Sequence, residues 1–175
     1  MQPLQIEISK RGDGAGVLAC LRHDGSRTWQ KQTVRAAAHF AHHDLTHYAV
    51  ETTLGYQRGF FGLIAEGWEI EDTTGKGSRG PLPAEALEVE HIVGLFDRQR
   101  STGLIWSVED FNTYSMRPLS DQQIQAVLKA RAELFHRWAN TEPGTKLALT
   151  FPASPATLKL PKSSAPHTGR ATMRD

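Results

Sequence analysis

The sequence holds a single cysteine, Cys20, so no disulfide can close within one chain and no cysteine-based zinc site can form in it. It also lacks any uninterrupted apolar run of about 18 residues, which argues against insertion in a membrane. No basic segment followed by an apolar one opens the chain, so no secretory leader is expected and a cytoplasmic location is. Net charge is nearly absent, at +1 over 175 residues. Near the end, Lys159, Lys162, Arg170 and Arg174 face Asp175 alone, so the rest of the chain is slightly acidic by difference. A body of that sign lacks the basic face that nucleic acids require, and no nucleic-acid partner is expected.

What is present is the composition of a folded domain, 39% hydrophobic and 22% charged. We expect one α+β domain over residues 1–152 and a disordered Pro/Ser/Lys-rich tail over 153–175. Residues 4–9 alternate apolar and polar, the pattern of a half-buried strand. Val17–Leu21 and Thr28–Gln32 follow as strands, with Asp24-Gly25 as the hairpin turn between them. A small antiparallel N-terminal meander results, packed on three to four helices. Thr33 is a candidate cap for a helix over Val34–Leu54, stopped by Gly55. A short helix over 58–68 and a polar loop over 71–83 come next. A third helix is expected from Ala84 to about Arg100, with Leu87, His91 and Leu95 along one stripe. Residues 101–118 read as irregular. Ser120-x-x-Gln123 is a capping box that opens a fourth helix reaching about Asn140. Leu147–Phe151 alternates again and should return to the N-terminal sheet.

Four of the eight histidines fall between His39 and His47. His39, His43, His47 and Glu51 recur every four residues, which on a helix forms one drifting stripe. Apolar residues occur on both sides of that helix, so it should be central and its histidines partly buried, where polar side chains need partners. His43-Asp44-Leu45-Thr46-His47 has the form H-D-x-x-H. Two imidazoles one turn apart can grip a single metal ion, and neutral imidazole is the usual nitrogen ligand of zinc. The third ligand would be a carboxylate, with Glu51 and Glu66 as the candidates. Asp44 and Glu51 are the candidate proton-handling groups, and Asp44 could instead fix an imidazole tautomer. His91 is a further candidate ligand, and His39 and His42 are weaker ones.

The spacing H-x-x-x-H, eighteen residues, then Glu over positions 43–66 resembles the ligand set of gluzincin metallopeptidases. That resemblance implies zinc held by His43, His47 and Glu66. Where those enzymes carry glutamate as general base, this chain has Asp44. The H-D-x-x-H itself is similar to that of Coq4-type ubiquinone-biosynthesis proteins, which implies a zinc-binding helical protein acting on an aromatic or quinone-like molecule. The leading expectation is therefore a divalent-metal protein, with zinc as the ion, acting as a hydrolase or lyase on a small-molecule substrate. The alternative is a non-enzymatic interaction or structural module that meets a partner protein and whose histidines form a buried polar network.

Overall fold

A computed structural model describes residues 2–13, 15–32, 34–75 and 77–152. The expected cap at Thr33 and the expected tail over 153–175 lie outside the described residues.

Alternation of apolar and polar residues builds the sheet. Strand β1 (Leu4–Lys10) turns Leu4, Ile6 and Ile8 into the core. Strand β2 (Gly16–Leu21) places Leu18 and Cys20 beside them. Strand β3 (Arg27–Gln32) is joined to β2 by a tight turn in which Gly25 has a φ of 84°, a left-handed conformation that glycine adopts without steric cost. The final strand β4 (Lys146–Phe151) returns to pair with β1, setting Leu147, Leu149 and Phe151 opposite Ile8, Ile6 and Leu4. All pairs are antiparallel, and the order across the sheet is β3-β2-β1-β4.

Five helices follow among the described residues: α1 (Val34–Leu54), α2 (Phe60–Ala65), α3 (Ala84–Thr102), α4 (Val108–Thr113) and α5 (Asp121–Ala139). The architecture is α+β, a four-stranded antiparallel sheet against helices, as the sequence patterns predict. Helix α1 runs through the middle, against α3 and α5 and against the sheet. Every residue from Asp44 to Glu51 is buried, which is the signature of a helix covered on all sides.

Three details differ from the sequence expectations. Helix α2 is shorter than expected, because Gly67 adopts a φ of 98° soon after its end and a single turn closes around Glu66 and Gly67. Helix α4 lies within the segment expected to be irregular, and a reciprocal capping box between Ser107 and Asp110 starts it. In α3 the buried face is Ala86, Val89, Ile92, Val93, Leu95 and Phe96, while Leu87 is 52% exposed. The expected Leu87/His91/Leu95 stripe is thus turned partly outward, and His91 Nε2 lies 2.7 Å from the carbonyl of Tyr114.

Arg22, buried at the end of β2, ties the sheet to the segment after α2. Its guanidinium donates to the carbonyls of Ile64 (2.8 Å) and Trp68 (2.5 Å) and pairs with Glu69 at 3.1 Å. Replacing Arg22 with Met keeps the stem but leaves two carbonyls without their donor. The expected loss is about 2–3 kcal/mol in urea denaturation. A loss below about 0.5 kcal/mol would show that the clamp does not hold the two layers together.

Candidate metal centre

The centre is built from one face of α1 and one face of α3. On α1, His43 and His47 are one turn apart and their side chains share a side. On α3, Glu90 and Asp97 are seven residues apart, two turns along the same face. Where the helices pack, the two rings meet the two carboxylates.

His43 Nε2 and His47 Nε2 approach to 3.2 Å, with the rings nearly perpendicular and their centroids 4.7 Å apart. Glu90 Oε1 lies 3.4 Å from His47 Nε2. The ligand atoms of His43, His47 and Glu90 all lie within 4.8 Å of one another, an arrangement that could hold a metal ion. Two nitrogens bound tetrahedrally to one zinc at 2.0–2.1 Å stand about 3.3 Å apart, so the imidazole separation suits such an ion.

Each imidazole has a carboxylate at its far nitrogen. His43 Nδ1 donates to Asp97 Oδ2 at 2.7 Å. Asp97 is further approached by the Thr46 hydroxyl at 3.5 Å and by Arg100 Nε at 3.7 Å. Burial would raise the Asp97 carboxyl, but the His43 bond and charge outweigh it and hold the group below its ordinary range. Burial likewise pulls His43 down, and Asp97 more than reverses this, so its pKa is raised. Behind His47, Glu51 Oε1 lies 3.5 Å from Nδ1, a distance too long for a good hydrogen bond, and Nδ1 has no hydrogen-bond partner among the described residues. Carboxylates placed in this way orient histidine ligands and raise their basicity.

Glu51 serves a second element as well. Its carboxylate accepts from the backbone N–H groups of Phe61 (3.1 Å) and Gly62 (3.3 Å), at the start of α2. The approach is close enough that a Cβ at Gly59 would stand 2.5 Å from the Glu51 carboxyl carbon, so residue 59 must be glycine for the carboxylate to seat. Burial pushes Glu51 up to about 8 despite these donors, and burial pushes His47 down to about 4.

Above the three ligand atoms is a cavity of about 370 Å³, with Phe40, Phe60, Ile70 and Leu82 as its apolar lining and Gln30, Asp44, Thr73 and Thr74 as polar lining. His43 and His47 form part of its wall, as does the half-exposed Glu90.

Comparison of the chain with protein-family models, with curated proteins and with solved structures gives no match.

His43 and His47 come together as the H-D-x-x-H spacing suggests, and the buried side chain of Asp44 lines the same cavity. Glu51 stands behind His47, sealed from solvent, rather than on the cavity side. Glu66 does not join the group. Its carboxylate is engaged by the Arg58 guanidinium through contacts of 2.9, 3.0 and 3.1 Å. The third member of the group is Glu90, and the carboxylate orienting His43 is Asp97. Neither was singled out from the sequence. The available signal was two acids seven residues apart on a helix whose intervening Val93 is fully buried. Cys20 is a buried thiol whose pKa burial pushes up to about 12, and it takes no part in the centre.

These shifts fix the pH response of the metal-free protein. Glu51 is raised from 4.5 to about 8, so its contribution to stability is complete below 4.5 and is lost as pH rises through about 8. The raised His43 acts in the same direction. His47 is depressed from 6.5 to about 4, so its contribution is complete above 6.5 and is lost only on acidification. In chelator, stability should therefore fall between about pH 6.5 and 8, by up to about 1.4 kcal/mol per pH unit for each proton released. Thermal melts of Glu51→Gln should show a shallower slope, with His43 supplying what remains, and an unchanged slope would mean that Glu51 is not a titrating group.

Proposed function

We propose that His43, His47 and Glu90 bind one divalent cation, zinc, and that the protein is a metal-dependent hydrolase or lyase working in the cavity above them. One observation carries this reading: two imidazole Nε2 atoms lie 3.2 Å apart while Asp97 holds one ring from behind and Glu51 faces the far nitrogen of the other. Rings that present Nδ1–H to carboxylates turn two lone pairs toward each other, and a cation between them relieves that opposition. Zinc is favoured by the nitrogen and oxygen ligands and by the resemblance of the H-D-x-x-H to zinc-binding families.

Two histidines and one carboxylate are a donor set used by catalytic zinc sites. Held by His43, His47 and Glu90, zinc would supply Lewis-acid activation of water at neutral pH. Asp44, in the wall of the same cavity, would serve there as the proton acceptor. Glu51 is a positioning residue, because its buried carboxyl reaches the centre only through His47.

The protonation of Glu51 favours a second reading. With a pKa of about 8, a neutral Glu51 can donate toward His47 Nδ1, and His47 Nε2–H can then donate to His43. That run of polar contacts, widest at the 3.5 Å between Glu51 and His47, needs no metal and suits a structural or interaction module.

Metal content separates the two. After zinc reconstitution and dialysis, elemental analysis should find about one zinc per wild-type chain and none in a His43→Ala/His47→Ala variant. Glu66→Gln should bind as the wild type does, and Asp97→Asn should weaken zinc binding by about 10–100-fold. Wild-type protein that retains no stoichiometric zinc sinks the metal reading and leaves the polar network.

A further inference from the structure

The two edges of the sheet are treated differently. Between β2 and β3, Arg22 N–H donates to Ser26 carbonyl oxygen at 2.9 Å, so this facing pair is hydrogen-bonded. Antiparallel pairs alternate between bonded and non-bonded, which makes Cys20–Thr28 and Leu18–Gln30 the next bonded pairs. The β1–β2 turn sets the same phase. Arg11 N–H donates to Ala15 carbonyl oxygen, so Val17, Ala19 and Leu21 bond to β1 and leave Leu18 and Cys20 for β3. The main-chain N–H and C=O groups of Arg27 and Trp29 therefore point away from the sheet.

On the opposite edge the same alternation turns Ala148 and Thr150 outward, and side chains cover their carbonyls. Tyr48 Oη donates to Thr150 and Arg137 Nη2 donates to Ala148. On the β3 edge, no hydrogen bond among the described residues reaches the outward groups of Arg27 or Trp29. The segment that follows α2 is held to β3 through a side chain instead, with Ile70 N–H donating to Thr28 Oγ1 at 3.2 Å. Between that segment and the strand lies an open cavity of about 680 Å³, walled by Arg27–Gln30 on one side and by Glu69–Glu71 and Thr74 on the other. It shares Gln30, Ile70 and Thr74 with the cavity over the metal centre, so the two meet along one wall.

We infer that the substrate of this centre is an extended polypeptide segment that adds as a further strand to the free edge of β3 and leads along the shared wall into the metal cavity. An extended backbone is the ligand that complements alternating outward N–H and C=O groups. Three glutamates, Glu69, Glu71 and Glu90, line the joined cavities, and Arg27 is the sole lysine or arginine in their lining among the described residues. Glu69 is paired with Arg22 and Glu90 belongs to the metal centre, so the main-chain groups of β3, rather than side-chain charge, carry the recognition. Turnover of such a segment rests on the metal reading above, whereas its binding needs only the groove.

The test uses a basic unfolded chain, fluorescein-labelled reduced and carboxamidomethylated lysozyme, titrated with the full-length protein and followed by fluorescence anisotropy. Trp29→Pro removes the outward N–H and spares the ladder to β2, since proline is tolerated on an edge strand when its nitrogen faces out. Trp29→Ala removes the indole and keeps the N–H. The wild type and Trp29→Ala should bind within about threefold of each other, and Trp29→Pro about tenfold more weakly. Should Trp29→Pro fail to fold, judged by circular dichroism, Thr74→Trp takes its place by filling the groove and should lose binding to the same extent. No binding by the wild type, or binding by the blocked variant equal to that of Trp29→Ala, overturns the proposal. Zinc content is measured on the same samples. Stoichiometric zinc with an idle edge rejects the groove alone, and edge-dependent binding without zinc rejects the metal reading alone.

Discussion

The carboxyl group of Glu51 sits where the interior of this protein is least forgiving. It is buried on α1, it accepts the first free N–H groups of α2, and it faces the far nitrogen of His47. The start of a helix has N–H groups without intrahelical partners, and here a side chain from a different helix supplies the acceptor. The position of α2 against α1 and the rotation of the His47 ring are therefore set by one group. Phe60, the first residue of α2, packs against that ring with centroids 5.1 Å apart and also lines the cavity, so the site wall inherits its placement from the same contact.

The remaining half of the centre is fixed by α3. Asp97 holds His43 from one end of the helix face, and Glu90 faces His47 from the other. Arg131 on α5 braces α3 from behind, donating to the Phe96 carbonyl and to Gln99 and lying over the Phe96 ring. All the groups that converge on the centre thus stand on helices with packed backs, which gives the geometry a rigid support. Glu90 is the member most open to solvent, and it is the one on the cavity side.

Local patterns carried much of this organisation. Alternation identified β1 and β4, because a half-buried strand writes its two faces directly into the chain. The four-residue recurrence placed His43 and His47 on one helical face, and buried residues on all sides of α1 followed from its two apolar sides. The chain could not reveal which acid crosses from another helix, because that depends on how α1 and α3 are rotated against each other. Glu66 had the better spacing and Glu90 had the better packing. Arg58, eight residues before Glu66, neutralises it locally, a contact that no metal-ligand spacing would suggest. Helix α4, six residues long, was too short to write a helical period, although its Ser-x-x-Asp box was present.

Gly59 gives the centre a signature that extends beyond its histidines and Glu90. The space a Cβ would need there is filled by the Glu51 carboxyl, so the two positions form a lock in which one residue is large because the other is small. Neither can drift on its own through neutral substitution: a side chain at 59 evicts the acid, and a shorter residue at 51 leaves a hollow over the start of α2. A chain descended from the same ancestor and retaining this centre should carry the glycine eight positions after the glutamate together with the paired histidines. One that has lost the glycine will have had to orient His47 by other means.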